Sequence, residues 1–294
     1  MSTSKKYVAA NVMALAEEPA DRRLGALLRE AGKLTDEQIE NVLRAQHESH
    51  RRFGEAAIKL GYVGEADVRQ MLARQFEYSY LEPGDSNIST EIVAAYEPFS
   101  RRVEALRALR SQLKMRWFDR AAGGRALAII SPHAGDGRSY LAANLAVVFA
   151  QLGERTLLID ADMRRPRQHQ LFGVNEAPGL STMLSGRDQL GAVQRVALLD
   201  DLWLLPAGPP PPNPVELLER PAFTKLLDQF REEYDVVLVD TAAGTIHADA
   251  HTAAVRCEAA LIVVRKNATR LADVKKLAGV VQTAEIVGTV LNES

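Results

Sequence analysis

Two kinds of apolar pattern divide the chain. Up to about residue 80, apolar positions recur three and four apart, as at Ile39, Val42 and Leu43, with glycines at 32 and 61. That is the period of short amphipathic helices. From Arg125 onward, solid Val/Ile/Leu runs replace it: ALAIIS, RTLLIDAD, LWLLPAG, DVVLVDT, AALIVVRK and EIVGTVLN. Helical stretches lie between them: SYLAANLAVVFAQLG, PVELLERPAFTKLLDQFREEY (Pro214 in the position proline favours at a helix start) and DVKKLAGVVQTA. Unbroken apolar strands alternating with helices predict a parallel sheet with helices on both faces. The expected class is α/β, preceded by a small all-α domain. The Pro-, Gly- and Ser-rich stretch between them reads as a connector with one short helix. The expected boundaries are 1–80, a linker over 81–100, and 101–294.

The all-α part repeats itself. Arg22–Gln46 aligns with Arg51–Gln75 at a constant offset of 29 residues. Arg22/Arg51, Arg23/Arg52, Gly25/Gly54, Gly32/Gly61, Leu43/Leu72 and Gln46/Gln75 are identical pairs, which indicates a duplicated unit. Each copy reads as two helices, the first ending at Gly32 or Gly61 in the left-handed conformation. Thr35 and Gln38 have the spacing of a capping box at the second helix. A module built only for packing would repeat its apolar residues, and the repeated arginines and glutamines go further. Two facing copies would offer the same donors twice, which suits a two-fold, anionic ligand.

In the α/β part, SPHAGDGRSY lies between a strand and a helix, the context a phosphate-binding loop requires. Gly135 and Gly137 let backbone N–H groups turn inward, and the helix adds its positive end. With Asp136, Arg138, Ser139 and Tyr140, these residues form the candidate ATP loop of a P-loop NTPase-type sheet. The usual first glycine is absent, and Arg138 and Tyr140 replace the usual Lys and small hydroxyl residue. LLIDADMRRP ends a strand with Asp160 and Asp162, and DVVLVDTAAG ends another with Asp240. Acids at neighbouring strand mouths can hold Mg²⁺ and accept a substrate proton.

Composition narrows the classes. The net charge is −2, with no general reason for nucleic-acid binding, and no nucleic-acid partner is expected. A single cysteine, Cys257, excludes an internal disulfide framework. The N-terminus is a poor secretion signal, and the longest apolar run, LAANLAVVFAQL, is too short and polar to span a bilayer. A cytoplasmic protein is expected, reaching the inner membrane only through a partner.

Two family resemblances follow from these motifs. The Arg-Leu-Gly…Gly…Gln pattern, in two 24-residue motifs (Arg23–Gln46 and Arg52–Gln75), resembles the cyclic-di-GMP-binding N-terminal domain of type II secretion and pilus ATPases. It implies a dinucleotide site lined by Arg23, Leu24, Gly25, Leu28 and Gln46, with Arg52, Phe53, Gly54, Ile58 and Gln75. The second copy departs from the pattern at Phe53 and Ala57. GDGRS, LLIDADMRRP, PPNPVELL and VVLVDT are similar to the bacterial tyrosine kinases of exopolysaccharide assembly, EpsG-type chain-length-determinant kinases in particular.

This second resemblance, over about residues 95–294, implies an ATP-dependent protein-tyrosine kinase that controls polysaccharide chain length and export. Its cofactors would be ATP/ADP and Mg²⁺, and the first resemblance adds cyclic-di-GMP as regulatory ligand. A membrane polysaccharide co-polymerase would activate it through a cytoplasmic tail. The resemblance also makes Glu104, Arg107 and Arg110 an oligomerisation motif for ring-like self-association. The roles expected are Arg138 and the loop amides on the β/γ-phosphates, Ser139, Asp162 and Asp240 on Mg²⁺, and Asp160 as proton acceptor from a tyrosine. The family's C-terminal tyrosine cluster is missing, since the last tyrosine is Tyr234. Two readings stay open: an active kinase, or a weak or inactive nucleotide-dependent assembly regulator of the co-polymerase. A third, a partitioning-type ATPase, lacks the basic patch or amphipathic tail it would need.

Overall fold

The computed structural model describes residues 20–49, 51–75, 81, 84, 86–120, 125–187 and 191–293. The chain divides into two compact units, Met1–Tyr80 and Leu81–Ser294.

The small unit holds four helices, α1 Ala20–Glu30, α2 Asp36–Ser49, α3 Phe53–Lys59 and α4 Glu65–Gln75. The helices of the two copies pack against one another, α1 against α3 and α4, and α2 against α3. Gly32 and Gly61 both take positive φ, +67° and +71°, and close the first helix of each copy. The Thr35–Gln38 capping box is formed in both directions: Thr35 N–H donates to Gln38 Oε1 at 2.9 Å, and Gln38 N–H donates to Thr35 Oγ1 at 3.3 Å. Leu24, Leu28, Val42, Phe53, Val68 and Met71 form the core.

The large unit is a seven-stranded sheet in the order β3-β4-β2-β5-β1-β6-β7. Its strands are β1 Ala126–Ile130, β2 Thr156–Asp160, β3 Gln194–Arg195, β4 Leu202–Leu205, β5 Val236–Asp240, β6 Ala259–Arg265 and β7 Glu285–Asn292. All neighbours run parallel except the short edge pair β3–β4. Alternation along β1 feeds two cores: Leu127 and Ile129 face one layer, Ala126, Ala128 and Ile130 the other.

On the first face lies α7, Arg138–Ala150. It is apolar nearly all round and buried along its length, because the sheet is beneath it and α6, Arg101–Leu113, packs across its back. The opposite face carries α10 Pro214–Glu219, α11 Pro221–Glu233, α12 Asp249–Cys257 and α13 Leu271–Val280. Two short helices, α8 Gln168–Phe172 and α9 Leu180–Leu184, fill the loops after β2.

Two expectations need correction. The described residues between 81 and 100 belong to the α/β unit and are not a linker. Ile88, Ile92, Val93, Ala94 and Tyr96 are buried in the α/β core, the last three within the short helix α5, Val93–Tyr96. Asn144, fully buried in α7, fastens this segment: its Oδ1 accepts from Ala94 N–H and its Nδ2 donates to the Glu91 carbonyl, both at 3.0 Å. A buried amide satisfied by two backbone groups explains an otherwise misplaced asparagine in an apolar helix. The stretch PVELLERPAFTKLLDQFREEY is likewise two helices, not one. Arg220 sits at ψ 145° before Pro221, because a proline pushes its predecessor out of the helical region.

Candidate functional site

The site sits at the carboxyl edge of β1, β2 and β5, where α7 begins. Its loop is held by side chains from distant segments. Asp136, nearly fully buried, accepts from His133 N–H and from the Thr269 hydroxyl, both at 2.8 Å. Asn292, the last residue of β7, donates from Nδ2 to the Asp136 carbonyl at 3.1 Å. Gly137 takes φ +98°, and a Cβ built there would lie 2.1 Å from Asn292 Nδ2. Glycine is needed at this point for both conformation and room. The His133 ring reaches Asp273 of α13 at 3.1 Å and Thr245 at 3.4 Å.

Arg138 is 7% exposed and turned into the loop. Its Nε donates to the Thr241 carbonyl at 2.8 Å, and its Nη1 to the His133 carbonyl at 3.0 Å and to the Ser131 hydroxyl. Only Nη2 faces the acids, 3.6 Å from Asp162 Oδ2. In this arrangement the guanidinium braces the loop from within, and does not stand over it where a phosphate-binding ammonium would. The planar fork explains the difference: it matches several acceptors at once, where lysine offers one point.

The three acids come together as expected, but not in equivalent settings. Asp160 and Asp240 are register partners on β2 and β5, and both are fully buried. Asp160 Oδ1 accepts from Asp162 N–H at 3.2 Å, and Oδ2 accepts from Arg167 and Gln168 N–H at 3.0 Å each. Burial and then the Asp240 charge hold its carboxyl well above the usual carboxylate range.

Asp160, expected as the proton acceptor, has no exposed surface here, and its three backbone donors tie it to the loop after β2. Asp162 is the acid with some access, 9% of its side chain, and it accepts from Arg165 N–H at 3.0 Å and Arg164 N–H at 3.3 Å. The Arg164 guanidinium is held by Asp249 of α12 at 3.1 Å.

Asp240 shows what the site can take. Its Oδ2 accepts from Gln168 Nε2 at 2.7 Å, while its Oδ1 is buried with no hydrogen-bond partner. Burial raises its pKa, against the pull of the Arg138 charge and of the nearby Gln168 and Ser139 side chains. Among the described residues, no cluster of three or more acidic, His or Cys side chains could hold a metal alone. One or two carboxylates beside a hydroxyl and a phosphate is the donor set Mg²⁺ favours, so Ser139, Asp162 and Asp240 fit that ion.

Beside the loop opens a cavity of about 880 Å³, lined by Gly135, Gly137, Tyr140, Leu106, Arg265 and Asn292 among others. Tyr140 is half-buried in its wall, and burial raises its hydroxyl pKa. Cys257 lies on the far face, where burial pushes its thiol up to about 12, as fits a core residue.

The residues expected to mediate self-association face outward only in part. Glu104 is exposed and 3.6 Å from Arg107, which is mostly buried, while Arg110 Nη1 donates to the Val148 carbonyl of α7 at 2.7 Å. In the small unit, Leu24, Gly25, Leu28, Phe53 and Gly54 are buried, Gln46 and Ile58 are half-buried and Arg52 is exposed. Packing accounts for both glycines, since a Cβ would meet the Phe53 ring at Gly25 and Val68 at 2.7 Å at Gly54. The side chains of Arg23 and Gln75 lie outside the described residues. Sequence reading missed Gln168, Thr269 and Asn292, which reach the site through tertiary contacts that no local motif announces.

The profile of the family "Cellulose biosynthesis protein BcsQ" matches residues 125–278. EpsB of Ralstonia solanacearum is 37% identical over 203 residues, 68% of this chain and 27% of EpsB, so the chain spans about a quarter of that relative's length. Tyrosine-protein kinase YwqD of Bacillus subtilis is 31% identical over 209 residues, 70% of this chain and 87% of YwqD. The kinase domain of Escherichia coli tyrosine kinase ETK superposes with a TM-score of 0.65 at 32% identity, covering 68% of this chain and 79% of that domain. No helix among the described residues is long and apolar enough to cross a membrane.

Proposed function

This chain belongs to the bacterial tyrosine-protein kinase family, and we propose that its α/β unit binds ATP with Mg²⁺ and transfers the γ-phosphoryl group to a tyrosine hydroxyl. The observation that carries this is the pairing of a pre-formed glycine loop with Asp240 Oδ1, a buried acceptor left open beside it. The loop N–H groups and the N-terminus of α7 hold the phosphates. Mg²⁺, when bound, neutralises charge on the β- and γ-phosphate oxygens. Asp162 accepts the tyrosine proton as the new P–O bond forms and the bond to ADP breaks. Asp160 keeps the backbone around Asp162 in place.

An assembly-only reading is favoured by one observation, the engagement of the Arg138 guanidinium with the loop's own carbonyls. In it, ATP binding drives ring formation through Glu104, Arg107 and Arg110 beneath a membrane polysaccharide co-polymerase, without transfer. Either way the protein acts in exopolysaccharide chain-length control at the inner face of the membrane, through that partner. Incubation with [γ-³²P]ATP, Mg²⁺ and the co-polymerase tail separates the two. The kinase reading expects phosphotyrosine, reduced about 10²–10⁴-fold by Asp162→Asn, with any loss of Mg²⁺–ATP affinity in that variant measured separately. Tight ATP binding with no phosphotyrosine supports the assembly reading, and no ATP binding sinks both.

The small unit is read as a cyclic-di-GMP sensor on the strength of its 29-residue repeat and the exposed Arg52. Calorimetry on the full chain, with and without ATP, is expected to show saturable binding that Arg52→Ala weakens. Absence of heat at millimolar ligand would remove this reading.

A further inference from the structure

Gln168 is buried completely at the first turn of α8 and touches all three parts of the site. Its backbone N–H donates to Asp160 Oδ2 at 3.0 Å. Its side-chain Nε2 donates to Asp240 Oδ2 at 2.7 Å and to the Ser139 carbonyl at 3.1 Å. Its Oε1 is then left buried with no partner, as is Asp240 Oδ1. Two buried acceptors without donors at one junction are costly unless a donor arrives, because each forfeits its hydration. A water carried in the coordination shell of a cation is such a donor, and Mg²⁺ keeps several of its waters when bound.

We propose that Gln168 is a positioning residue for the metal, pinning one oxygen of Asp240 so that the other, together with its own Oε1, receives the water shell of Mg²⁺. This rests on the reading of the site as a Mg²⁺–ATP site. Nothing in a bare loop motif requires a glutamine there. The requirement comes from the geometry: without the Gln168 amide on its Oδ2, Asp240 is free to turn its carboxylate toward the loop, and the open acceptor is lost. Groups that orient metal ligands in this way commonly change metal affinity by about 10–100-fold when removed.

The test titrates Mg²⁺ into the full chain with a fluorescent ATP analogue and reads the Mg²⁺ concentration at half-maximal tight binding. Affinity in EDTA is measured alongside. Gln168→Met fills the same space without the amide. It is expected to raise the Mg²⁺ midpoint about 10-fold or more and leave the EDTA affinity within two-fold. Gln168→Asn keeps the amide but cannot span the gap, and is expected to do the same. It serves as the readout if circular dichroism shows Gln168→Met unfolded. A midpoint within two-fold of wild type overturns the proposal. An equal loss in EDTA also overturns it, since that would be a structural role in the loop. A wild-type chain that binds no nucleotide at all overturns the proposal together with the reading beneath it, and is recognised by the missing wild-type signal.

Discussion

Arg138 and Asp162 face one another at 3.6 Å, Nη2 to Oδ2, across the mouth of the phosphate loop. The remaining donors of Arg138 named above are engaged by Thr241, His133 and Ser131. The loop arginine and an acid expected to bind metal therefore hold each other before any ligand arrives. Nucleotide with its metal must compete for both. The energetic question is whether Arg138 matters more to the loop's shape or to the phosphates.

Arg138→Lys answers it. Lysine keeps the charge but cannot reach Thr241 and His133 together. Hydrogen bonds from a charged group contribute about 1.5–3 kcal/mol each, and losing at least one lowers stability by about that amount. Urea denaturation is expected to show this drop. ATP affinity is expected to hold or rise, because an ammonium is freer to leave the loop and meet a phosphate. An unchanged urea midpoint would show that the brace contributes nothing.

Much of this was legible beforehand because it is local. The strand–loop–helix frame, the strand-end acids, the Thr35–Gln38 capping box and the two helix-closing glycines each depend on residues a few positions apart. What sequence could not show depends on distant partners. Residues 81–100 look like a linker by composition, and distant partners such as the buried amide of Asn144 show that the stretch around Glu91 and Ala94 is bound to α7. Asp160 reads as a catalytic base from its motif, while its three backbone donors appear only once the chain turns back after β2. The inward turn of Arg138 needed the carbonyl of Thr241, more than a hundred residues away in sequence.

Asp240 gives a pH signature. Burial raises its pKa in the folded chain above the unfolded value of about 3.9. The folded state thus binds the proton more tightly, and stability falls as pH rises from about 4 through the folded pKa. Asp240→Asn removes that loss, with its oxygen accepting from Gln168 and its amide placed where Oδ1 had no partner. In the metal-free protein the variant is expected to be more stable than wild type at pH 8, with the gap narrowing toward pH 4. Urea midpoints at the two pH values check it. The same variant is expected to lose the stabilisation that Mg²⁺–ATP gives the wild type. A wild-type lead at pH 8 would mean that the Asp240 charge is already compensated.

Gly137 and Asn292 form a steric pair that joins the loop to the last strand. Gly137→Ala places a Cβ 2.1 Å from Asn292 Nδ2 and in a left-handed conformation at φ +98°. The single variant is expected to lose ATP binding, by about 1–3 kcal/mol from backbone strain plus the clash. Asn292→Ala removes the clash and also the hydrogen bond to the Asp136 carbonyl. In the double variant, part of the loss is expected to return, leaving the strain. Fluorescent-nucleotide titration of the four members of the cycle gives the coupling directly. Full additivity would show that the two residues do not meet in the working protein.

The motif on α6 separates by burial into one outward residue and two inward ones, and this predicts opposite phenotypes for its members. Glu104 is exposed over three quarters of its side chain, with Arg107 3.6 Å away. Glu104→Ala is expected to weaken self-association in sedimentation velocity and leave the thermal midpoint within experimental error, since exposed ion pairs contribute about 0–1 kcal/mol. Arg110 donates to the Val148 carbonyl near the end of α7, so Arg110→Ala leaves that acceptor without the charged donor. It is expected to cost about 1.5–3 kcal/mol of stability and to shift assembly only through the loosened seating of α6 on α7. Equal stability losses in both variants would mean that Glu104 is also part of the fold. Loss of assembly in Arg110→Ala with an unchanged thermal midpoint would mean that this arginine leaves α7 to meet a neighbouring subunit, and that its hold on Val148 belongs to the isolated chain alone.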